Sequence, residues 1–153
     1  MRKKIGYCSL LTKESVVNNK RSKTFTLSYD LEKPLLYSMA RITINGRTFS
    51  TDKAIWDTGA TITAFSNRIA ESLDASASES GISISASDTS ESNIYHGTIE
   101  LPGGIVFRNA EIWGFPLSDF AADIIIGMDI ISQGKLVVEM QNGIPTFSFT
   151  IIQ

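Results

Sequence analysis

From Thr24 to Ile152 the chain is a series of short apolar runs, each stopped by a turn signal after about eight to twelve residues. That spacing is too short for a helical bundle, and it confines the chain to strands that alternate in and out of a core. Phe25, Leu27, Tyr29 and Leu31 alternate with Thr24, Thr26, Ser28 and Asp30, and Pro34 ends the run. Met39 to Ile44 and Arg47 to Ser50 flank Asn45-Gly46, a pair that readily adopts the positive φ a tight hairpin needs. Lys53 to Trp56, Ile105 to Phe107, Ala110 to Phe115, Asp123 to Gly127, Lys135 to Met140 and Pro145 to Ile152 read as further strands, the last two joined by Asn142-Gly143. About nine strands of this kind indicate an all-β barrel or sandwich. Two short helical pieces are expected, one from Ser66 through Leu73 and one turn from Asp129 to near Gly134.

Residues 72–92 hold nine serines, a composition that on its own suggests a flexible linker. The order within them predicts a long hairpin instead. Ile82-Ser83-Ile84-Ser85-Ala86-Ser87 alternates at period two, Ile94 to Leu101 alternates again, and Ser87 to Ser92 forms a polar tip.

A chain of 153 residues makes one domain and buries about two-thirds of the surface its unfolded form exposes. No apolar stretch approaches the ~18–20 residues of a membrane span. The start, Met1-Arg2-Lys3-Lys4 and then Ile5 to Leu11, lacks the long apolar stretch and small-residue cleavage site of a signal peptide. With the single Cys8, this reads as a cytoplasmic protein. Net charge is −2, yet residues 1–33 carry eight Lys/Arg against three acidic residues. We read residues 1–38 as a basic leader with a strand at 24–31, and residues 39–153 as the folded domain. A solvated basic arm is the simpler reading of that charge, and no nucleic-acid partner is expected.

The segment that carries chemistry is Asp57-Thr58-Gly59-Ala60, which follows the apolar Ala54-Ile55-Trp56. Far downstream lies Ile125-Ile126-Gly127. A carboxylate at the end of a buried strand, followed by small residues, suits acid–base work on water. Strand, Asp-Thr-Gly-Ala, hairpin and apolar-apolar-Gly in this order resemble the retropepsin-like aspartic proteases, over roughly Met39 to Ile152.

The resemblance implies a small closed barrel with a flap hairpin, acting as a homodimer on polypeptide substrate with no metal or other cofactor. Asp57 would be the catalytic residue, facing its twin across the dimer axis. Thr58 would send its hydroxyl to the other subunit, Gly59 would permit the tight turn, and Ala60 would complete the loop. Ile126 and Gly127 would thread behind it. Ser83, Ile84, Ser85, Ala86, Ser87 and Asp88 would belong to the flap over substrate, and Pro145 to Ile152 would join an inter-subunit sheet through Phe147, Phe149 and Ile151. A pH optimum on the acidic side of neutral is implied as well. Two departures stand out: Met128-Asp129 follows Gly127 where viral members carry an arginine, and the flap tip is serine-rich rather than glycine-rich.

Other residues have plainer readings. His96, the only histidine, sits in an alternating strand and suits a surface or packing role. Asp119, Asp123 and Asp129 lack calcium-loop spacing, so no metal is expected. Trp56 and Trp113 read as core aromatics, and Cys8 as incidental. A second function class is a catalytically weak module of the same fold used for dimerisation or peptide binding. The apolar stretch Pro34 to Met39, if exposed, would be a place for the protease to trim its own leader.

Overall fold

The computed structural model describes residues 10–17, 20–84, 89–117 and 122–152. Their order is β1 (Leu11–Val17), β2 (Lys20–Ser28), β3 (Tyr37–Ile44), β4 (Arg47–Trp56), β5 (Ala64–Ser66), α1 (Asn67–Ser72), β6 (Glu79–Ile84), β7 (Thr89–Leu101), β8 (Ile105–Phe115), β9 (Ile124–Ile126), α2 (Met128–Ile131), β10 (Lys135–Gln141) and β11 (Ile144–Ile152). The protein is all-β apart from the two short helices and one 3-10 turn at Pro102–Gly104.

One sheet runs β3-β4-β9-β5-β8-β7-β6 and closes on itself because β3 also pairs with β7, with Ile42 opposite Ile99. Six strands thus form a barrel, and β6 extends from it as the outer arm of the β6–β7 hairpin. Alternation selects the inward residues Ile42, Ile99, Ile105 and Ile112, which are fully buried together with Phe65, Ile124 and Ile126. The α1 helix seals one side through Ile69 and Ala70, with Leu73 just beyond its end. Asn45 and Asn142 adopt φ of 51° and the glycines after them 77° and 79°, as the two hairpin turns require.

The second sheet has the order β1-β2-β11-β10 and lies against the barrel. Its inward face carries Phe25, Leu27, Phe147 and Phe149, which meet Trp56 of the barrel. The Trp56 ring is 5.6 Å from that of Phe25 and 4.9 Å from that of Phe149, which builds one aromatic layer between the sheets.

This second sheet corrects two expectations. Residues 11–17 and 20–28, read as leader with a strand only at 24–31, form two strands, and β2 begins at Lys20 and ends at Ser28. The polar sequence of β1 hid it, because an edge strand needs few apolar residues to pair. Phe147, Phe149 and Ile151, expected on an inter-subunit sheet, are instead at most 8% exposed inside one chain, since β11 lies between β2 and β10. The stretch expected to be an exposed trimming loop is also held: the Leu36 carbonyl accepts the Trp56 N–H at 2.9 Å, and Ser38 is buried in β3. Elsewhere neighbouring runs fuse. Arg47 to Ser50 and Lys53 to Trp56 are one strand, as are Ile105 to Phe107 and Ala110 to Phe115.

Candidate active site

Three buried residues, Ala54, Ile55 and Trp56, end β4, and they pair in parallel with Ile124, Ile125 and Ile126 of β9. The ladder runs one residue further, because the Asp57 N–H donates to the Ile126 carbonyl at 3.0 Å. The chain then turns sharply. The Gly59 N–H donates to Asp57 Oδ1 at 2.8 Å, and the Ala60 N–H to the Asp57 carbonyl at 3.2 Å. A Cβ on Gly59 would lie 3.1 Å from that same Oδ1, so glycine lets the amide sit close to the carboxylate. Asp57 Oδ2 has no hydrogen-bond partner among the described residues, and the side chain is half-exposed at the mouth of the loop. Thr58 and Gly59 are exposed beside it.

The loop is fastened from behind. The Met128 N–H donates to the Ala60 carbonyl at 2.8 Å and the Asp129 N–H to the Thr61 carbonyl at 3.2 Å. Gly127 passes so close to Ile62 that a Cβ there would fall 2.5 Å from its backbone carbon and oxygen. Asp57, Ala60, Ile126 and Gly127 are thus brought together at one end of the barrel.

Asp129 and Thr63 were missed. The Asp129 carboxylate accepts the Thr63 N–H at 3.0 Å and its hydroxyl at 2.7 Å, while Thr63 Oγ1 accepts the Gly127 N–H at 3.1 Å. Thr63 is fully buried. Where an arginine would bring an ion pair, this chain uses a carboxylate that clasps the far end of the Asp57 loop. The one signal in the sequence was an acidic residue two positions after Gly127, and its partner lies 66 residues away.

β6 and β7 pair as the hairpin that the alternation predicted. Ser83 and Ser90 lie opposite each other with hydroxyls 3.0 Å apart. Ile82 and Ile84 are 69% and 82% exposed, large apolar side chains left uncovered on this arm. Ser85, Ala86, Ser87 and Asp88 lie outside the described residues, as does Asp119. The Trp113 ring crosses Gly81, where a Cβ would strike it and Ile94, so this tryptophan supports the hairpin base.

Metal-ligating chemistry is confined to one trio among the described residues. Glu79, His96 and Glu111, on β6, β7 and β8, present exposed donor atoms within 4.8 Å of one another, and Trp113 Nε1 donates to Glu111 Oε1 at 2.6 Å. Such a set could hold a zinc-class ion. None of the three belongs to the Asp57 loop. A groove of about 770 Å³ between the end of β2 and β3, lined by Leu27, Tyr29, Leu35 and Met39, includes no residue of the Asp57 loop.

A six-stranded barrel with an Asp-Thr-Gly-Ala loop threaded by an apolar-apolar-Gly strand is the fold of the retropepsin-like aspartic proteases. The family profile described as aspartyl protease matches residues 40–130, more than half of the chain, and the chain belongs to that family. It resembles the crystal structure of a retropepsin-like aspartic protease from Rickettsia conorii at 13% identity, covering 87% of this chain and 94% of that one with a TM-score of 0.59. The solution structure of simian foamy virus (mac) protease also matches, at 20% identity over 63% of this chain and 92% of that one, with a TM-score of 0.44. Comparison with curated protein sequences finds no match.

Proposed function

We propose that the protein is a homodimeric aspartic endopeptidase, in which Asp57 of each chain supplies half of the catalytic pair. The observation that carries this is the Asp57 carboxylate itself: one oxygen is fixed by the Gly59 N–H, the other is open, and the loop occurs once per chain. Two such carboxylates about 3 Å apart cannot both ionise, so they share one proton, as in aspartic proteases generally. Their apparent pKa values belong to the pair. The ionised member takes a proton from a bound water, and the resulting hydroxide adds to the peptide carbonyl carbon. The protonated member donates to the carbonyl oxygen as it gains charge. Collapse of the tetrahedral intermediate breaks the C–N bond, with a proton delivered to the leaving amine. The β6–β7 hairpin closes over an extended substrate, with Ser83, Ile84 and the tip from Ser85 to Asp88 as its covering residues, and main-chain hydrogen bonds supply much of the affinity.

The rival reading, a binding module with little turnover, is separated by Asp57→Asn. That isosteric change should abolish hydrolysis of a peptide library while leaving the circular dichroism spectrum and melting temperature close to wild type. Hydrolysis retained in the variant sinks the dyad. A wild type that binds peptides of the library and cuts none supports the module.

A further inference from the structure

With Phe147, Phe149 and Ile151 spent on the chain's own core, a different surface must join the two half-sites. We infer that the second copy docks on the β10 edge, antiparallel to its own β10 about a twofold axis at Val137; this rests on the dimeric reading above and names its interface.

Among the described residues the four-stranded sheet has two open edges, β1 and β10. An edge strand offers a row of unpaired N–H and C=O groups, which soluble proteins normally guard with charge or irregularity. The β1 edge is guarded by Lys13, Glu14 and Ser15. On β10 the charges, Lys135 and Glu139, stand two residues either side of an apolar centre at Leu136, Val137 and Val138. Its register with β11 sets Leu136 opposite Phe149 and Val138 opposite Phe147, so Leu136, Val138 and Met140 share the face that the aromatic layer covers. That cover stops one strand short. Phe147 is fully buried, yet Val138 beside it is 51% exposed and Met140 57%. Trp56, whose ring lies 4.9 Å from that of Phe149 on the neighbouring β11, directly precedes Asp57, so the aromatic layer beside β10 leads into the half-site.

The sequence of β10 also fits itself. In Lys135-Leu136-Val137-Val138-Glu139, antiparallel pairing about Val137 puts Lys135 against the partner's Glu139 and Leu136 against the partner's Val138. Val137 meets the partner's Val137. Cation falls on anion and apolar on apolar, twice, as an isologous twofold interface requires. An unrelated partner strand would impose no such self-match. No described acidic residue lies in ion-pair distance of Lys135, and no described cation in that of Glu139. Two four-stranded sheets would thereby fuse into one of eight, with both Trp56-Asp57 segments on the same face.

The test uses the full chain with Cys8→Ser as background. Val137→Cys, lying on the axis, should form a disulfide-linked dimer under mild oxidation, and Val16→Cys on β1 should not. Lys135→Glu and Glu139→Lys should each weaken the dimer about tenfold in sedimentation, since each sets like charges opposite each other. The doubly swapped chain should recover wild-type assembly, a rescue that misfolding would not produce. Activity per chain should follow dimer content throughout. If both single variants dimerise at full strength and Val137→Cys stays unlinked while activity persists, the copies meet elsewhere and the inference falls, with the dyad mechanism intact. A strictly monomeric protein with full activity overturns the dimeric mechanism as well.

Discussion

At the scale of single residues, the Asp57 loop is held by contacts that are costly to lose. The Asp129 carboxylate accepts both the N–H and the hydroxyl of fully buried Thr63. Asp129→Ala strands those donors without partners, and we expect a loss of about 2–4 kcal/mol in urea unfolding, with activity falling further than stability because the loop loosens. Asp129→Asn keeps one acceptor and should cost about half as much. An alanine variant as stable as wild type would remove Asp129 from the loop's support. Gly127→Ala acts by exclusion. Its Cβ would lie 2.5 Å from the Ile62 backbone, which cannot rotate away, so the variant should lose about 1–3 kcal/mol and carry a displaced loop. Wild-type melting in that variant would show that the thread passes more loosely.

Among the elements, β2 decides where the domain begins. Phe25 is fully buried, with ring centroids 5.6 Å from Trp56, 6.0 Å from Phe147 and 6.4 Å from Phe149. Phe25→Ala should cost about 3–5 kcal/mol, the usual penalty for deleting a buried ring. A chain starting at residue 39 would leave β11 without its β2 neighbour and expose the aromatic layer, so it should lack native-like dispersion in its amide proton spectrum. A well-folded truncated protein would restore the leader reading. The peptide bonds from Leu36 to Ser38 lie within or beside the β3–β4 pairing, where Tyr37 stands opposite Ile55. Mass spectrometry after long incubation should accordingly find no wild-type species beginning at residues 37–39.

The whole molecule closes because β3 pairs with both β4 and β7, which fixes the barrel that carries β4, β9 and the Asp57 loop after β4. One chain presents one carboxylate on that frame, so catalysis should depend on concentration. Dilution through the dimer dissociation constant should lower the rate per chain, and activity plotted against enzyme should curve upward. A strictly linear plot down to nanomolar protein would point to a one-chain site. The surface also holds Glu79, His96 and Glu111 together on three adjacent strands, a convergence of residues 32 positions apart that pairing alone produces.

What the sequence determined by itself is local. Alternation marks which residues point inward, because period two follows from strand geometry, and Asn45-Gly46 and Asn142-Gly143 mark turns because so few residues accept positive φ. Asp57-Thr58-Gly59-Ala60 and Ile125-Ile126-Gly127 were likewise legible as motifs and as a pair. What the tertiary structure decided is partnership. Alternation shows that Phe147 and Phe149 are buried, but not against what; the contact with Phe25 spans more than 120 residues, and any strand of similar pattern could have claimed that face. The three residues of β5 are too few to show a period, and they form a strand only because β8 and β9 lie on either side. Asp129 read only as the start of a helical turn, and the fold set it beside Thr63. Strand character is written in neighbouring residues, whereas the choice of partner is made by packing across the folded chain, where a single sequence carries no local mark of it.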